Sequence, residues 1–428
     1  MSKDDLLPGR RMEPLPQIYR VGGWVRDHLL NLPAPDQDWV VLGETPETML
    51  ARGFRPVGAD FPVFLHPDSG EAYALARQER KRGTGYHGFA THAPPTVTLE
   101  EDLSRRDLTI NAMAMTEDGR LIDPFGGERD LQNRLLRHVS PAFAEDPLRV
   151  IRVARFLARF QSLGFRVAEE TLSLLTELAH SGELQTLPAE RVWQETHKAL
   201  LTDTPLAFFD LLQQCGALAS LFPELEALHG VTQPLQYHPE GDVWQHTRLV
   251  LAVATRLSTD PVVRLAALLH DLGKGTTPKE WLPHHHGHEE RGVELINPLC
   301  DRLRIPNTYR KLALLTARHH LQCHRLLEMT PGKVVRLLTR LDALHRPDFL
   351  DDFLLACQAD ATGRLGMADH PYPQADLLRR CRAAAADVDS GPFVQAGLQG
   401  EALGEAIHRE RVRRVRALLR QSTETPPC

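Results

Sequence analysis

The hydrophobic pattern of this chain changes period once, near residue 140, and that switch constrains the fold more than any other feature. Before it, short runs rich in β-branched and aromatic residues (IYRVGG, DWVVLG, FPVFLH, EAYALAR) are separated by turn signals, and LIDPFGG follows an apolar INAMAM. Two helical pieces, residues 24–30 and 45–52, interrupt these strands. After Pro141 the apolar residues recur at helical spacing and go on doing so, as in DPLRVIRVARFLARF, EETLSLLTEL and PVVRLAALLHDL. The expected fold class is α+β: a small mixed β-sheet head, an all-α neck or body, and a further all-α domain. Breaks near 187–188, 222–223, 238–241, 278–287 and 391–392 divide the helical part. The expected division is a head at 17–140, a neck or body at 141–240, a helical domain at 241–345 and a helical tail at 346–428. The segment Arg80–Pro95, rich in Gly, Arg and polar residues, is expected to be a mobile loop.

At 428 residues the chain exceeds one ordinary domain of about 100–200 residues. Its 42% apolar and 25% charged residues exclude a disordered, collagen-like or membrane-embedded chain. The opening MSKDDLLPGR lacks the basic start and apolar run of a secretion signal, and no stretch approaches the roughly 20 apolar residues that span a bilayer. Six scattered cysteines without a CxxC pair fit reduced thiols, so a cytoplasmic protein with no membrane role is expected. Fifty Lys+Arg against 56 Asp+Glu leave a net charge of −6, so any nucleic acid must be held by local patches rather than a global basic field. The cations are nearly all Arg, which suits bidentate phosphate contacts.

Chemistry concentrates first at Asp36-Gln37-Asp38, at the entrance of a strand. Residues i and i+2 of a strand share a face, so both carboxylates converge. Converging carboxylates fit Mg²⁺ and two-metal nucleotidyl transfer, while a solvated turn is the competing reading of an isolated D-x-D. Upstream, Val21-Gly22-Gly23-Trp24-Val25-Arg26-Asp27 reads as strand, glycine turn and helix start. Such a turn brings backbone amides close to a phosphate, and Arg26 on the first helical turn adds a charged donor.

These two motifs occur together with Arg105-Arg106-Asp107-Leu108-Thr109-Ile110-Asn111 and Glu145-Asp146-Pro147-Leu148-Arg149 running on to Arg152 and Arg155. In that order the chain resembles the class II nucleotidyltransferases of the DNA polymerase β superfamily. More closely it resembles bacterial CCA-adding enzymes, the tRNA nucleotidyltransferases, of the subtype with a C-terminal HD domain. The likeness starts at about residue 17, leaving residues 1–16 as an extension. It implies tRNA, CTP and ATP as partners, Mg²⁺ on Asp36 and Asp38, and a monomer or homodimer. It further implies nucleotide contacts from Gly23, Arg26 and Arg106, base-edge contacts from Asp146 and Arg149, and triphosphate contacts from Arg152 and Arg155. A third carboxylate is usual in this superfamily, and Glu71 and Asp107 are both candidates. The helix from Asp146 is also readable as an ordinary amphipathic helix with a basic face.

The second concentration is of histidines. His246 lies at a helix start, His270-Asp271 ends an apolar helix before LGKG, and His284-His285-His286-Gly287-His288, His319-His320 and Asp360 follow. H…HD…D is the signature of HD-type metal phosphohydrolases. Imidazole with carboxylate suits Ni²⁺ or another divalent transition metal on His246, His270, Asp271 and Asp360, with His270 and Asp271 as catalytic candidates. His285, His286 and His288 stay open as outer or second-metal candidates. The expected function is therefore a multifunctional CCA-adding enzyme whose HD domain has 2′-nucleotidase, 2′,3′-cyclic phosphodiesterase and phosphatase activity. Its competitors are a poly(A) polymerase-like transferase, a hydrolase active only through the HD domain, and a non-catalytic RNA-binding protein.

Overall fold

Trp39, Val40 and Val41 are consecutive and all buried, so their strand has to be covered on both faces. The computed structural model describes residues 17–34, 37–57, 63–81 and 89–424, with side chains at 79–81, 89–92 and 422–424 left aside. Its strands are β1 (Ile18–Val21), β2 (Asp38–Val41), β3 (Arg55–Val57), β4 (Val63–Leu65), β5 (Ala72–Leu75), β6 (Gln78–Lys81), β7 (Phe89–His92), β8 (Ala114–Met115) and β9 (Leu121–Ile122). Seven of them form one sheet in the order β3-β4-β5-β2-β1-β8-β9, antiparallel except where β2 meets β5. Val40 packs with Val21, Leu103 and Ala114 on one face, and Trp39 and Val41 with Met49, Phe64 and Leu75 on the other. The mixed sheet of the head is thus as the sequence pattern implies.

Six helices belong to the same region: α1 (Gly23–Leu29), α2 (Pro46–Ala51), α3 (Leu99–Ser104), α4 (Gly127–Gln132), α5 (Leu148–Phe160) and α6 (Glu169–His180). Reciprocal capping boxes start α2 (Thr45 with Thr48) and α3 (Thr98 with Glu101). Two departures from the sequence reading stand out. β6 and β7 pair antiparallel, Gln78 with His92 through Lys81 with Phe89, so both ends of the segment expected as a loop are laddered. Backbone donors and acceptors of adjacent extended segments satisfy one another whatever their composition, which is why a Gly- and Arg-rich segment concealed them. Residues 82–88 lie outside the described residues. Also, β11 (Arg166–Val167) pairs in parallel with β10 (Leu135–Leu136), so extended structure continues past the periodicity switch.

By chain contacts one compact unit runs to Pro188 and includes Gln214–Ala217; the other takes Ala189–Gln213 and everything from Leu218. The second is helical, with α7 (Ala189–Leu200), α8 (Leu206–Gln214), α9 (Ala217–Leu221), α10 (Pro223–Glu226), α11 (Val243–Leu257), α12 (Pro261–Leu269), α13 (His288–Arg302), α14 (Asn307–His324), α15 (Pro331–Arg340), α16 (Pro347–Thr362), α17 (Pro373–Ala386), α18 (Gly391–Gln395) and α19 (Gly400–Glu424). Asp242 and Asp260 cap α11 and α12 through the Gln245 and Val262 amides, and Pro261 occupies the first turn of α12. Val263, Ala266, Leu312, Val335, Leu338 and Phe353 belong to the largest core of this unit. Among the described residues no helix is long and apolar enough to cross a membrane.

Candidate active sites

In the head, Gly22 takes φ +68°, and a Cβ there would lie 2.7 Å from Arg106 Nη1. The positive φ favours glycine at the turn from β1 to α1, which passes close to that guanidinium. Arg106 is anchored by Asp102 (Nη2 to Oδ2, 3.2 Å), while its buried Nε has no hydrogen-bond partner. Gly23 opens α1, and a Cβ there would be 3.5 Å from Arg26 Nη2. Asp38 stands exposed at the start of β2, where the register pairs it with Ala72 of β5. Asp36 lies outside the described residues.

The remaining head residues form a network of ion pairs. Arg26 is 3% exposed; its Nε and Nη2 donate to the Asp27 carboxylate (2.8 and 2.9 Å) and its Nη1 to Asn111 Oδ1 (2.5 Å). Arg159 also donates to Asp27, at 2.9 Å. The sequence reading had Arg26 facing a phosphate; here its guanidinium turns inward and ties α1 to Asn111. Arg152 donates twice to Asp107 Oδ2, at 2.8 and 2.6 Å, and Asp107 Oδ1 accepts from Asn111 Nδ2 and the Leu108 amide. Burial alone would raise the Asp107 pKa, but Arg152 and these hydrogen bonds hold it well below the usual carboxylate range. Arg149, buried, donates to the carbonyls of Ala142 (2.8 Å) and Arg105 (2.5 Å). Asp146 Oδ1 accepts from the Leu148 amide at 3.0 Å, capping α5 as its position before Pro147 suggests. The Arg155 guanidinium lies 4.0 Å from the Phe156 ring centroid. Of the two candidate third carboxylates, Asp107 is saturated. Glu71 sits one residue before Ala72, the cross-strand partner of Asp38.

In the second unit, α11, α12 and its following turn, α13, α14 and α16 each aim a side chain at one point. Gly273 makes this possible: a Cβ there would meet the His288 carbonyl oxygen at 2.0 Å, so only glycine lets the His270–Lys274 turn lie against the start of α13. His246 Nε2 is 3.1 Å from Asp360 Oδ1, and His270 Nε2 is 3.1 Å from Asp271 Oδ2 and 3.6 Å from Asp360 Oδ1. His288 and His320 present Nε2 to Asp271 Oδ1 at 3.2 and 3.7 Å, and His324 Nε2 meets Asp360 Oδ2 at 2.6 Å. Lys274 Nζ lies 2.6 Å from Asp271 Oδ2.

The outer nitrogens show why the rings point inward. Nδ1 of His270, His288 and His320 contacts the carbonyls of Ala267 (2.7 Å), His285 (2.8 Å) and Thr316 (3.0 Å). A carbonyl only accepts, so each Nδ1 carries the proton, and Nε2 of a neutral ring is left as a ligand. Burial pushes the His320 pKa down to about 3, against the pull of Asp360 and Asp271, so that ring is neutral at physiological pH. Burial opposes charge on His270 too, yet Asp271 and Asp360 hold its pKa up to about 10, so its Nε2 faces negative charge that either a proton or a metal ion can neutralise.

Two buried groups have metal-ligand geometry, His246 with His270 and Asp360, and Asp271 with His288 and His320. Within them His270 Nε2 and Asp271 Oδ1 are buried and complete no hydrogen bond. Imidazole nitrogens and carboxylate oxygens around a buried negative centre fit divalent metal ions. All four residues expected to ligate (His246, His270, Asp271, Asp360) meet here. Sequence reasoning missed His324, whose spacing of four from His320 on α14 was the available signal. It also missed Glu240, whose Oε1 lies 2.9 Å from His246 Nδ1 and 3.1 Å from His238 Nδ1. His285 stays outside, tied to Thr277 Oγ1 and the Thr232 carbonyl.

Family comparisons agree with this geometry. Residues 18–137 match the "Poly A polymerase head domain", residues 164–228 the "Probable RNA and SrmB- binding site of polymerase A", and residues 243–346 the "HD domain". Fold and site thus define a polymerase-type nucleotidyltransferase that carries an HD metal domain. The multifunctional CCA protein of Alkalilimnicola ehrlichii is 58% identical over 404 residues, covering 94% of this chain and 98% of that protein. That of Methylococcus capsulatus is 57% identical, over 96% of this chain and 97% of its own. The chain belongs to the multifunctional CCA protein family. A solved tRNA-processing enzyme shares 25% identity and a TM-score of 0.58, over 92% of each chain. The Bacillus stearothermophilus CCA-adding enzyme with CTP has a TM-score of 0.62 at 24% identity, over 95% of this chain and 89% of its own.

Proposed function

We propose that this chain builds or repairs the 3′-terminal CCA of tRNA in the cytoplasm, from CTP and ATP and without a template. Its HD unit, in the same reading, hydrolyses 2′-nucleotides, 2′,3′-cyclic phosphates and phosphomonoesters. The division into a head at 17–140, a neck or body at 141–240 and an HD domain at 241–345 is part of the proposal. The observation that carries it is a Gly22–Gly23 turn beneath Arg106, leaving a strand paired with the one that starts at Asp38, in a chain with 58% identity to a multifunctional CCA protein.

In each addition the 3′-hydroxyl oxygen bonds to the α-phosphorus while the bond to pyrophosphate breaks. Asp36, Asp38 and Glu71 would hold Mg²⁺, which supplies acidity to the attacking hydroxyl and neutralises charge on the leaving group. Gly23, Arg26, Arg106, Arg152 and Arg155 bind the triphosphate. Because Arg26 and Arg152 hold Asp27 and Asp107, nucleotide binding redistributes those ion pairs. Asp146 and Arg149 face the base edge, one acceptor and one fork of donors, a pairing able to satisfy cytosine and then adenine. Residues 80–95 contribute to the change from C to A. In the HD unit His246, His270, Asp271 and Asp360 would hold Ni²⁺ or a similar ion, and Lys274 neutralises part of the charge on Asp271.

The test is a tRNA lacking its last three nucleotides, incubated with pure protein, CTP and ATP, and resolved on a sequencing gel. Three added nucleotides, in the order C, C, A, support the reading. A long adenosine tail makes the chain a poly(A) polymerase, and no extension refutes a transferase.

A further inference from the structure

A cavity of about 1010 Å³ opens from the HD cluster, at the upper end of the range of small-ligand pockets (about 300–1,000 Å³). His288, Lys274 and His324 line it, and each also touches a carboxylate of the cluster. The cavity wall carries six Lys or Arg side chains, namely 274, 325, 333, 336, 340 and 364, against two carboxylates, Glu289 and Glu328. Glu328 is already paired with Arg325, at 3.0 Å.

Lys333, Arg336 and Arg340 stand at i, i+3 and i+7 of α15, so they form one stripe along the cavity side of that helix. All three are exposed, and none of their side chains makes a hydrogen bond or ion pair with a described residue. Arg364, which also lines the cavity, buries an Nε that has no partner. From Lys333 to Arg340 the helix rises about 10 Å, too far for a single phosphate to engage both ends. Tyr237, 58% exposed, adds an aromatic face to the same cavity. Unpaired cations in a row with an exposed ring form a surface for a single-stranded backbone and its bases.

We infer that this cavity takes the 3′ end of an RNA strand, the terminal phosphate at the HD cluster and the preceding phosphodiesters along Lys333, Arg336 and Arg340. The preferred substrate of the HD unit is then a polynucleotide end, not a free nucleotide. The inference rests on the proposed HD hydrolysis and assigns its substrate class. The stripe lies outside residues 164–228, the segment that matches an RNA-binding model.

The experiment compares two probes on the full-length protein, cytidine 2′,3′-cyclic phosphate and a short oligoribonucleotide ending in the same cyclic phosphate. Wild type should prefer the oligonucleotide in kcat/KM. In Lys333→Gln/Arg336→Gln/Arg340→Gln the ratio of the two kcat/KM values should fall about tenfold or more, through KM for the RNA. A second measurement needs no variant: oligonucleotide kcat/KM should fall with salt more steeply than that of the mononucleotide, by about 2 in log–log slope for three phosphates. A ratio unchanged in the triple variant, or equal salt slopes, overturns this inference and leaves HD hydrolysis standing. Failure of wild type to hydrolyse either probe removes the HD reading and this inference together.

Discussion

The head and the HD cluster solve the same problem, holding charge where a substrate phosphate must come, in opposite ways. In the HD unit the donors already converge, with outer nitrogens fixed by carbonyls and Nε2 atoms meeting two buried carboxylates. In the head most cations are committed to protein partners: Arg26 to Asp27, Arg152 to Asp107, Arg149 to two carbonyls. One site gathers its ligand atoms without substrate, and in the function proposed above the other has ion pairs that a triphosphate must reorganise. The two chemistries should therefore respond to different substitutions.

The largest effect is expected in the head. Asp38→Ala, and Asp36→Ala equally, should lower both C and A addition by at least about a thousandfold while tRNA binding and HD hydrolysis persist. Filter binding and a hydrolysis assay on the same preparation check it; normal incorporation would remove Asp38 from the reaction. The reciprocal change, His270→Ala, should cut hydrolysis about a hundredfold or more and spare nucleotide addition. Loss of both activities together with the melting temperature would make the cluster a structural pin instead.

Glu240 sharpens the contrast, since an outer carboxylate matters only where a ligand is held in advance. Glu240→Gln should weaken metal binding by about 10–100-fold, read by calorimetric titration and by the metal content of the purified protein. Unchanged affinity would mean that Glu240 serves only His238 and the local turn. In the head, Arg149→Ala should cost on the order of 1–3 kcal/mol of discrimination between nucleotides. A uniform loss for all four would assign Arg149 to the backbone contacts it makes with Ala142 and Arg105.

The smallest effect concerns acid. Asp107 has a folded pKa below its unfolded one, so the Arg152 pair stabilises above about pH 4 and that contribution is lost as pH falls through the folded value. Arg152 is 35% exposed, and solvent screening keeps the contribution modest. The melting-temperature gap between wild type and Asp107→Asn should narrow as pH drops from 7 toward 3. A gap that is constant, or widens, contradicts the ion pair.

What sequence conveyed follows the range of the interactions. The switch in period, the glycine turn and the H…HD…D ligands are local patterns, and each lies in the expected kind of element. The partners that hold Arg26 were not legible, because they involve Asn111, 85 positions away, and an Asp27 shared with Arg159, 132 positions on. His324 had a local signal in its spacing of four from His320, whereas Glu240 joins the HD cluster only through its contact with His246 on α11, which no spacing along the chain discloses. The β6–β7 ladder escaped for a related reason, since backbone pairing leaves little trace in a Gly- and Arg-rich composition.

The account turns on two separable sites serving one RNA end, and one substrate tests both. A tRNA lacking CCA and ending in a 2′,3′-cyclic phosphate has no free 3′-hydroxyl. Water opening the ring frees that hydroxyl and leaves a 2′-phosphate, and a second water releases it as inorganic phosphate. Wild type with CTP and ATP should extend this tRNA by three nucleotides. His270→Ala should leave it unextended, yet extend the matching tRNA with a free 3′-hydroxyl at the wild-type rate. Extension of the blocked tRNA by His270→Ala, or failure on both tRNAs, would contradict the account.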